Sequence, residues 1–251
     1  MFILLLTYTR TGSTWLADII SNRTMYTIDA AQPGDTVNLH EYFDNDVGNN
    51  KLKQLGYLSE NTNTRTVSGF ENLYELFKKK QINFTLKLFD SHLPLISENK
   101  NDMCVSKLLE YSDVVVHNYR KNILHSWISI KRVGETGIWQ GTREKRSLKN
   151  KVHWDRDAFL RYSRHRKQVF DDRVSLLKKS HIQPVEIVYE DLHRTGNRFN
   201  FLSEKCKRCN IQLYSTHICK LSNPNLKIED NFVNKQQFLD DYASVQEYIT
   251  L

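Results

Sequence analysis

The sequence lacks an apolar run long enough to cross a bilayer. Its longest, residues 1–6, has six residues, whereas a membrane-spanning helix needs about 20. This run is also a poor signal peptide, because no basic segment precedes it and Arg10 follows it without a small-residue cleavage site. Residues 2–8 therefore predict the first buried strand of a cytoplasmic protein.

Internal repeats, low-complexity segments and Pro- or Gly-rich linkers are also missing. With 251 residues, of which 39% are hydrophobic and 26% charged, the chain suits a single globular domain over residues 1–251. Residues 24–66 are polar and contain Asn-rich patches, so they predict an irregular insertion. Long segments of this kind are usually functional or mobile.

Cysteine is scarce, with four residues in the whole chain. Cys206 and Cys209 form a C-x-x-C pair that precedes His217 and Cys219, a spacing with some likeness to zinc ligands. A cytosolic setting favours reduced structural thiols. Zinc binding and a disulfide stay open as alternatives.

The net charge of +7 indicates anionic partners, such as nucleic acid, a membrane surface, or an anionic cofactor or substrate. The basic residues are spread along the chain, and no known nucleic-acid-binding motif accompanies them. We therefore expect a small anionic ligand and no nucleic acid.

Apolar strands alternate with helical patterns along the chain. Strands are predicted at residues 2–8, 83–89, 113–118 and 184–189, and helices at 70–80, 101–111, 123–133, 155–180, 197–209 and 235–248. Uninterrupted apolar strands that alternate with helices favour an α/β fold with a central parallel sheet flanked by helices. Ligands of such sheets bind outside the carboxyl ends of the strands.

A short polar loop, residues 9–14, follows the first strand and leads into a helix whose apolar positions begin at Leu16. Such a loop directs backbone N–H groups at one point near the positive end of a helix, which suits an anion. Gly12 permits close backbone approach, and Arg10 adds a cation. The loop lacks the Gly-Lys pair of a Walker nucleotide site, which speaks against binding of a nucleoside triphosphate.

Residues 10–16, Arg-Thr-Gly-Ser-Thr-Trp-Leu, resemble the 5′-phosphosulfate loop of sulfotransferases, [KR]-[ST]-G-[ST]-[ST]-W-L. This resemblance implies a P-loop-like sulfotransferase fold and the sulfate donor PAPS (3′-phosphoadenosine 5′-phosphosulfate), with 3′,5′-ADP as a product. It assigns the 5′-phosphosulfate to Arg10, Thr11, Gly12, Ser13 and Thr14. Trp15 would pack either against the adenine or in the core. A plain strand-to-helix turn is the alternative for the loop taken alone.

A second cationic stretch follows the strand at residues 113–118. In sulfotransferases an Arg and a Ser eight residues later bind the 3′-phosphate of PAPS. The spacing pairs Ser129 with Lys121, or with Arg120 if the register shifts by one residue, and Ser126 is the alternative hydroxyl. Together with residues 136–139, Thr-Gly-Ile-Trp, this stretch resembles the bacterial trehalose sulfotransferases. An ordinary connection with surface cations is the alternative.

Two residues are candidates for the base that takes the acceptor proton. His92 lies in a His-Leu-Pro triplet like that of cytosolic sulfotransferases, although its spacing from Lys87 is longer than in that family. Glu41 occupies a turn that resembles the base-bearing turn of the trehalose type, and we place it slightly ahead of His92. With Arg10, these residues form the predicted catalytic set, which requires no metal.

The resemblance implies transfer of a sulfuryl group to a hydroxyl or amine acceptor, such as a carbohydrate or another small molecule. The acceptor's identity and the oligomeric state do not follow from the sequence. Two other functions stay open, a P-loop-type kinase of a small molecule or nucleotide, and a non-catalytic protein that binds a nucleotide or nucleic acid.

Overall fold

The computed structural model of the chain describes residues 1–8, 11, 13–39, 53–54, 67–89, 105–136, 151–194, 198–214 and 227–251. By internal contacts the chain divides into two compact units. Unit 1 consists of residues 1–119 and 176–219, and unit 2 of residues 120–175 and 220–251. The single domain over residues 1–251 stays a prediction.

Unit 1 contains one sheet, in which the described residues form six strands, all parallel. The strands are β1 (Phe2–Thr7), β2 (Arg23–Thr24), β3 (Thr36–Asn38), β4 (Asn83–Leu88), β5 (Val114–Tyr119) and β6 (Val185–Val188). Their order is β2-β3-β4-β1-β5-β6. The α/β class with a central parallel sheet, predicted from the sequence, is confirmed.

Helices connect the strands and extend into unit 2. They are α1 (Ser13–Ile19), α2 (Val67–Lys79), α3 (Val105–Tyr111), α4 (Ile123–Thr136), α5 (Arg156–Lys179), α6 (Asp191–Arg194), α7 (Arg198–Lys207) and α8 (Lys235–Val245). The structure also describes three 3₁₀ helices, Met25–Ala30, Ile228–Asn231 and Gln246–Tyr248. Helix α5 begins in unit 2 and ends in unit 1.

The main core of unit 1 lies on one face of the sheet. It is formed by alternate residues of β1 and β4, such as Leu4 and Leu86, and by apolar residues of α2 and α3, such as Phe70 and Leu108. Side chains alternate between the faces of a strand, so the residues between these core positions point to the opposite face. All six residues of β1 are buried, as expected for the central strand of a parallel sheet.

The prediction of an irregular segment at residues 24–66 is wrong for part of that range. This range contains the end of β2, the first 3₁₀ helix and β3. β3 pairs with β4 in parallel register. These strands escaped the sequence pattern because they are two and three residues long and largely polar. Thr36 and Asn38 are buried by the neighbouring strands, which local sequence does not reveal.

Unit 2 has its own aromatic core. Trp127 of α4 and Phe159 of α5 pack with Trp154, Phe232 and Phe238, and the ring centroids lie 4.4–6.3 Å apart. Aromatic pairs at these separations, many of them edge to face, add to the free energy of apolar burial. This cluster fixes α4 against α5 and α8 within the unit.

Across the stretches of chain described above, no helix combines the length and apolar character that crossing a membrane requires.

Candidate functional site

The chain leaves neighbouring strands β1 and β5 in opposite directions along the sheet. After β1 it continues to β2 on the far side of β4, whereas after β5 it continues to β6 at the other edge. In open α/β sheets such a switch point leaves a crevice outside the carboxyl ends of the two strands, where ligands bind. β1 ends at this edge, and Tyr8, Thr11 and the start of α1 at Ser13 are the next described residues of the chain.

A buried network of polar side chains holds the base of the loop. The hydroxyl of Thr11 lies 2.8 Å from Asn118 Oδ1, 2.8 Å from the Tyr8 carbonyl oxygen and 2.7 Å from Thr7 Oγ1. Asn118 also donates from Nδ2 to the carbonyl of Ile187, at 3.3 Å. The network thus joins β1, β5 and β6, and it turns the Thr11 side chain inward, so only the backbone of Thr11 can face a ligand.

Lys87 of β4 brings a buried cation to the start of α1. Its side chain is on the sheet face opposite the main core, and the residue is 1% exposed. The amine donates to Thr14 Oγ1 at 3.3 Å and lies 5.6 Å from the centre of the Phe89 ring. A positive charge is felt more strongly at a buried position than in water, because the local dielectric constant is lower. This edge of unit 1 is therefore suited to an anion.

Two contacts fix α1 over β4. Lys87 meets Thr14 at its first turn, and the hydroxyl of Ser21, just beyond its end, lies 3.2 Å from Thr85 Oγ1. Trp15 is 9% exposed, a burial that agrees with the core-packing alternative for this residue. Ser13 is buried and Thr14 is half-buried.

On the other face of the sheet, His117 and Tyr8 form a buried polar pair. Tyr8 Oη and His117 Nε2 are 3.3 Å apart, and the ring of Tyr119 lies 4.9 Å from that of His117. Burial, reinforced by the carboxylates of Glu186, Asp191 and Glu190, raises the pKa of Tyr119. Tyr119 therefore stays a protonated phenol at neutral pH.

The second set of predicted ligand-binding residues, those for the 3′-phosphate, lies in unit 2 at the start of α4. Arg120 is half-buried and Lys121 is exposed, while Ser129 is half-buried. Ser126 is 1% exposed, and its hydroxyl has no hydrogen-bond partner within the described parts of the chain. A buried hydroxyl in that state is costly to the fold. The role of Ser126 as the alternative hydroxyl stays a prediction.

The first turn of α4 has already used most of its amide donors. Ile123 N donates to the Ile249 carbonyl at 2.7 Å, and His125 N to Asn122 Oδ1 at 2.9 Å. Ser126 N closes the turn on the Asn122 carbonyl at 3.4 Å. An anion here would therefore be bound chiefly by side chains.

Four predicted site residues lie outside the described residues: Arg10, Gly12, Glu41 and His92. Their roles stay predictions. The sequence pattern missed Asn118 and Thr7, and it noted Lys87 only for its spacing from His92. The available signal was the placement of polar residues near the carboxyl ends of otherwise apolar strands.

The two cysteines that the structure describes are free thiols, so Cys206 and Cys209 do not form a disulfide. Burial, and to a smaller extent the neighbouring Cys209, raises the pKa of the Cys206 thiol to about 12. His217 and Cys219, the other members of the predicted pattern, lie outside the described residues.

No protein-family model matches the chain, and no curated protein shows significant similarity to it.

Proposed function

We propose that this protein is a PAPS-dependent sulfotransferase that acts on a carbohydrate or another small molecule with a hydroxyl or amine. The observation that carries the proposal is the buried amine of Lys87 at the hydroxyl of Thr14. In a Walker loop the lysine belongs to the loop itself. Here β4 supplies the lysine to Thr14, in the first turn of α1, within a segment whose sequence resembles the sulfotransferase signature.

The residues present suit an anionic donor. The Thr11–Asn118 network holds Thr11 against β5, and Lys87 supplies buried positive charge beside Thr14. When bound, PAPS supplies an activated sulfuryl group and a good leaving group. Arg10 and Lys87 would stabilise negative charge on the leaving oxygen, and Ser13 or Thr14 would donate to it, which is how fixed donors accelerate group transfer.

The 3′-phosphate is assigned to the group at the start of α4. The resemblance names Lys121 or Arg120 together with Ser129. Ser126 is the alternative hydroxyl; it is buried and has no hydrogen-bond partner among the described residues. A lysine acts as a point charge, whereas an arginine can bind two phosphate oxygens at once. The choice between Arg120 and Lys121 therefore bears on the strength and on the geometry of phosphate recognition.

The acceptor must lose a proton as its oxygen or nitrogen attacks sulfur, so a base within hydrogen-bond reach is required. We assign this role to Glu41, with His92 as a second group that orients the acceptor. Histidine is a ready base near neutral pH, whereas Glu41 would need a pKa raised by burial. The ranking rests on the likeness to the trehalose type.

Calorimetric titration with 3′,5′-ADP tests the binding half of the proposal. The protein should bind 3′,5′-ADP and should not bind ATP with magnesium at comparable affinity. Lys87→Met, which keeps the length of the side chain but removes its charge, should weaken 3′,5′-ADP binding by about tenfold or more. Lys179→Met, at an exposed position, is the matched control and should bind as the unmodified protein does.

The titration, together with an assay of sulfate transfer from PAPS, separates the alternative functions. Tight binding of ATP with magnesium and none of 3′,5′-ADP would favour a kinase. Binding of both nucleotides without sulfate transfer would favour a non-catalytic nucleotide-binding protein. Equal affinity of Lys87→Met and the unmodified protein would remove Lys87 from the site.

A further inference from the structure

A segment distant in sequence pairs with the backbone at the start of α4. Asn122 and Thr250 form an antiparallel bridge. Ile123 N donates to the Ile249 carbonyl at 2.7 Å, and Leu251 N donates to the Lys121 carbonyl at 3.1 Å. Residues 246–251, here termed the strap, therefore hold the backbone from Lys121 to Ile123 from both sides of Asn122.

Helix α5 in turn holds the strap. Ser163 Oγ donates to the Tyr248 carbonyl at 2.6 Å, and Lys167 Nζ donates to the Glu247 carbonyl at 2.8 Å. The cations of Arg164 and Lys167 each lie 5.7 Å from the centre of the Tyr248 ring, within the range of a cation–π attraction. Ser163 is fully buried, and its bond to the half-buried Tyr248 is partly shielded from water.

These contacts link α5, through the strap, to the residues at the start of α4 that are candidates for binding the 3′-phosphate. The strap occupies the first amide of α4 and leaves phosphate recognition to side chains, so the direction of those side chains depends on the backbone path at residues 120–122. Charged side chains recognise a phosphate well only when the backbone holds them in place, because binding otherwise costs their conformational freedom.

We propose that Ser163 and the strap are positioning elements that set the selectivity for a 3′-phosphorylated nucleotide. Ser163 acts through Tyr248 and the strap on the backbone that carries Arg120 and Lys121, and it is not itself a catalytic residue. This inference rests on the proposed function, since the 3′-phosphate belongs to PAPS and to 3′,5′-ADP.

The test compares Ser163→Ala with a matched serine variant, Ser244→Ala. Ser244 lies on α8. Its hydroxyl also donates to a main-chain carbonyl, that of Asp241 at 2.7 Å, and accepts from Arg156 Nε at 3.2 Å, and neither of these partners belongs to the strap. The measured quantity is the dissociation constant for AMP divided by that for 3′,5′-ADP. Because the two ligands differ only in the 3′-phosphate, this ratio measures the selectivity for that phosphate. A general loss of stability would weaken both ligands alike and would leave this ratio unchanged.

Ser163→Ala should lower the ratio by about fivefold or more while the affinity for AMP changes less than twofold. Ser244→Ala should keep the ratio of the unmodified protein, and Ser163→Thr, which retains a hydroxyl, should restore most of the selectivity. An unchanged ratio in Ser163→Ala overturns the inference, as does an equal fall in Ser244→Ala.

Hydrogen exchange separates this inference from the proposed function. The amides of Ile123 and Leu251 should exchange at least about tenfold faster in Ser163→Ala than in Ser244→Ala, because the strap that bonds them is loosened. If the unmodified protein bound neither nucleotide, the proposed function would fail. Unchanged exchange at both amides would overturn the positioning role whatever the nucleotides do.

Discussion

Replacement of Thr11 by valine removes one hydroxyl from the base of the loop without changing the shape of the side chain. The hydroxyl has a single proton, which it shares between the Tyr8 carbonyl and Asn118 Oδ1. Thr7 Oγ1 is 3.1 Å from Asn118 Oδ1 and can donate there after the change. The variant therefore leaves about one buried acceptor unsatisfied, which costs about 1–3 kcal/mol.

A loss of this size is measurable by thermal unfolding. For a chain of this length, each kcal/mol lowers Tm by about 2–4 °C, so Thr11→Val should unfold roughly 2–12 °C below the unmodified protein. Thr11→Ser keeps the hydroxyl and loses a methyl group, which costs about 1 kcal/mol. It should therefore lie closer to the unmodified protein.

Nucleotide binding distinguishes a loop effect from a general loss of stability. Thr36→Val is the matched control, because Thr36 is buried and its hydroxyl meets Tyr214 Oη at 3.1 Å on β3, outside the loop network. At a temperature where both variants are folded, Thr11→Val should bind 3′,5′-ADP several-fold more weakly than Thr36→Val. An unchanged Tm and unchanged binding in Thr11→Val would refute the bracing role of the network.

Three further predictions follow from described groups. Hydrogen bonds to Asp35 from the Gln32 amide, Asn22 and Arg23 lower the pKa of its carboxyl below 3.8, so its contribution is full above that value and fades as the pH falls through the lower folded pKa. Asp35→Asn should thus be less stable than the unmodified protein by about 1–3 kcal/mol at pH 7, and the gap should narrow below pH 3.8 in urea titrations; a constant gap would contradict the assignment. Cys206, with its pKa raised to about 12, should react with iodoacetamide at pH 7 at least about 10²-fold more slowly than Cys209, and equal labelling by mass spectrometry would contradict its burial. Lys121→Ala should weaken the binding of 3′,5′-ADP about tenfold and change the binding of AMP little. If Arg120→Ala shows this loss and Lys121→Ala does not, Arg120 is the residue that pairs with Ser129. A comparison of Ser126→Ala with Ser129→Ala identifies which hydroxyl binds the 3′-phosphate.

The sequence pattern predicted the parts of the fold that local hydrophobicity determines. β1, β4 and β5 are continuous apolar or mostly apolar runs. Each of their ends lies within one residue of the predicted position. The end of α8 was predicted too late, because the chain tightens into a 3₁₀ helix at Gln246. β2 and β3 were missed because strand pairing, rather than their own composition, makes them strands.

The sequence predicted which residue types form the candidate site. It did not predict which way their side chains point or which groups they contact. A motif names Thr11 but does not say that its hydroxyl turns inward to Asn118. The contact between Lys87 and Thr14 depends on the pairing of β4 with β1, and that pairing joins residues about 80 positions apart in the chain. The strap at residues 246–251 is likewise a tertiary contact without a local signal.

Sulfuryl transfer itself is the most direct test of the proposed function. The protein is incubated with ³⁵S-labelled PAPS and a panel of carbohydrate and small-molecule acceptors, and products are identified by the added sulfate in mass spectrometry. The proposed function predicts a sulfated product and stoichiometric 3′,5′-ADP, with both greatly reduced in Arg10→Ala and Lys87→Met and unchanged in Lys179→Met. Absence of transfer to every acceptor, together with no binding of 3′,5′-ADP, would contradict it.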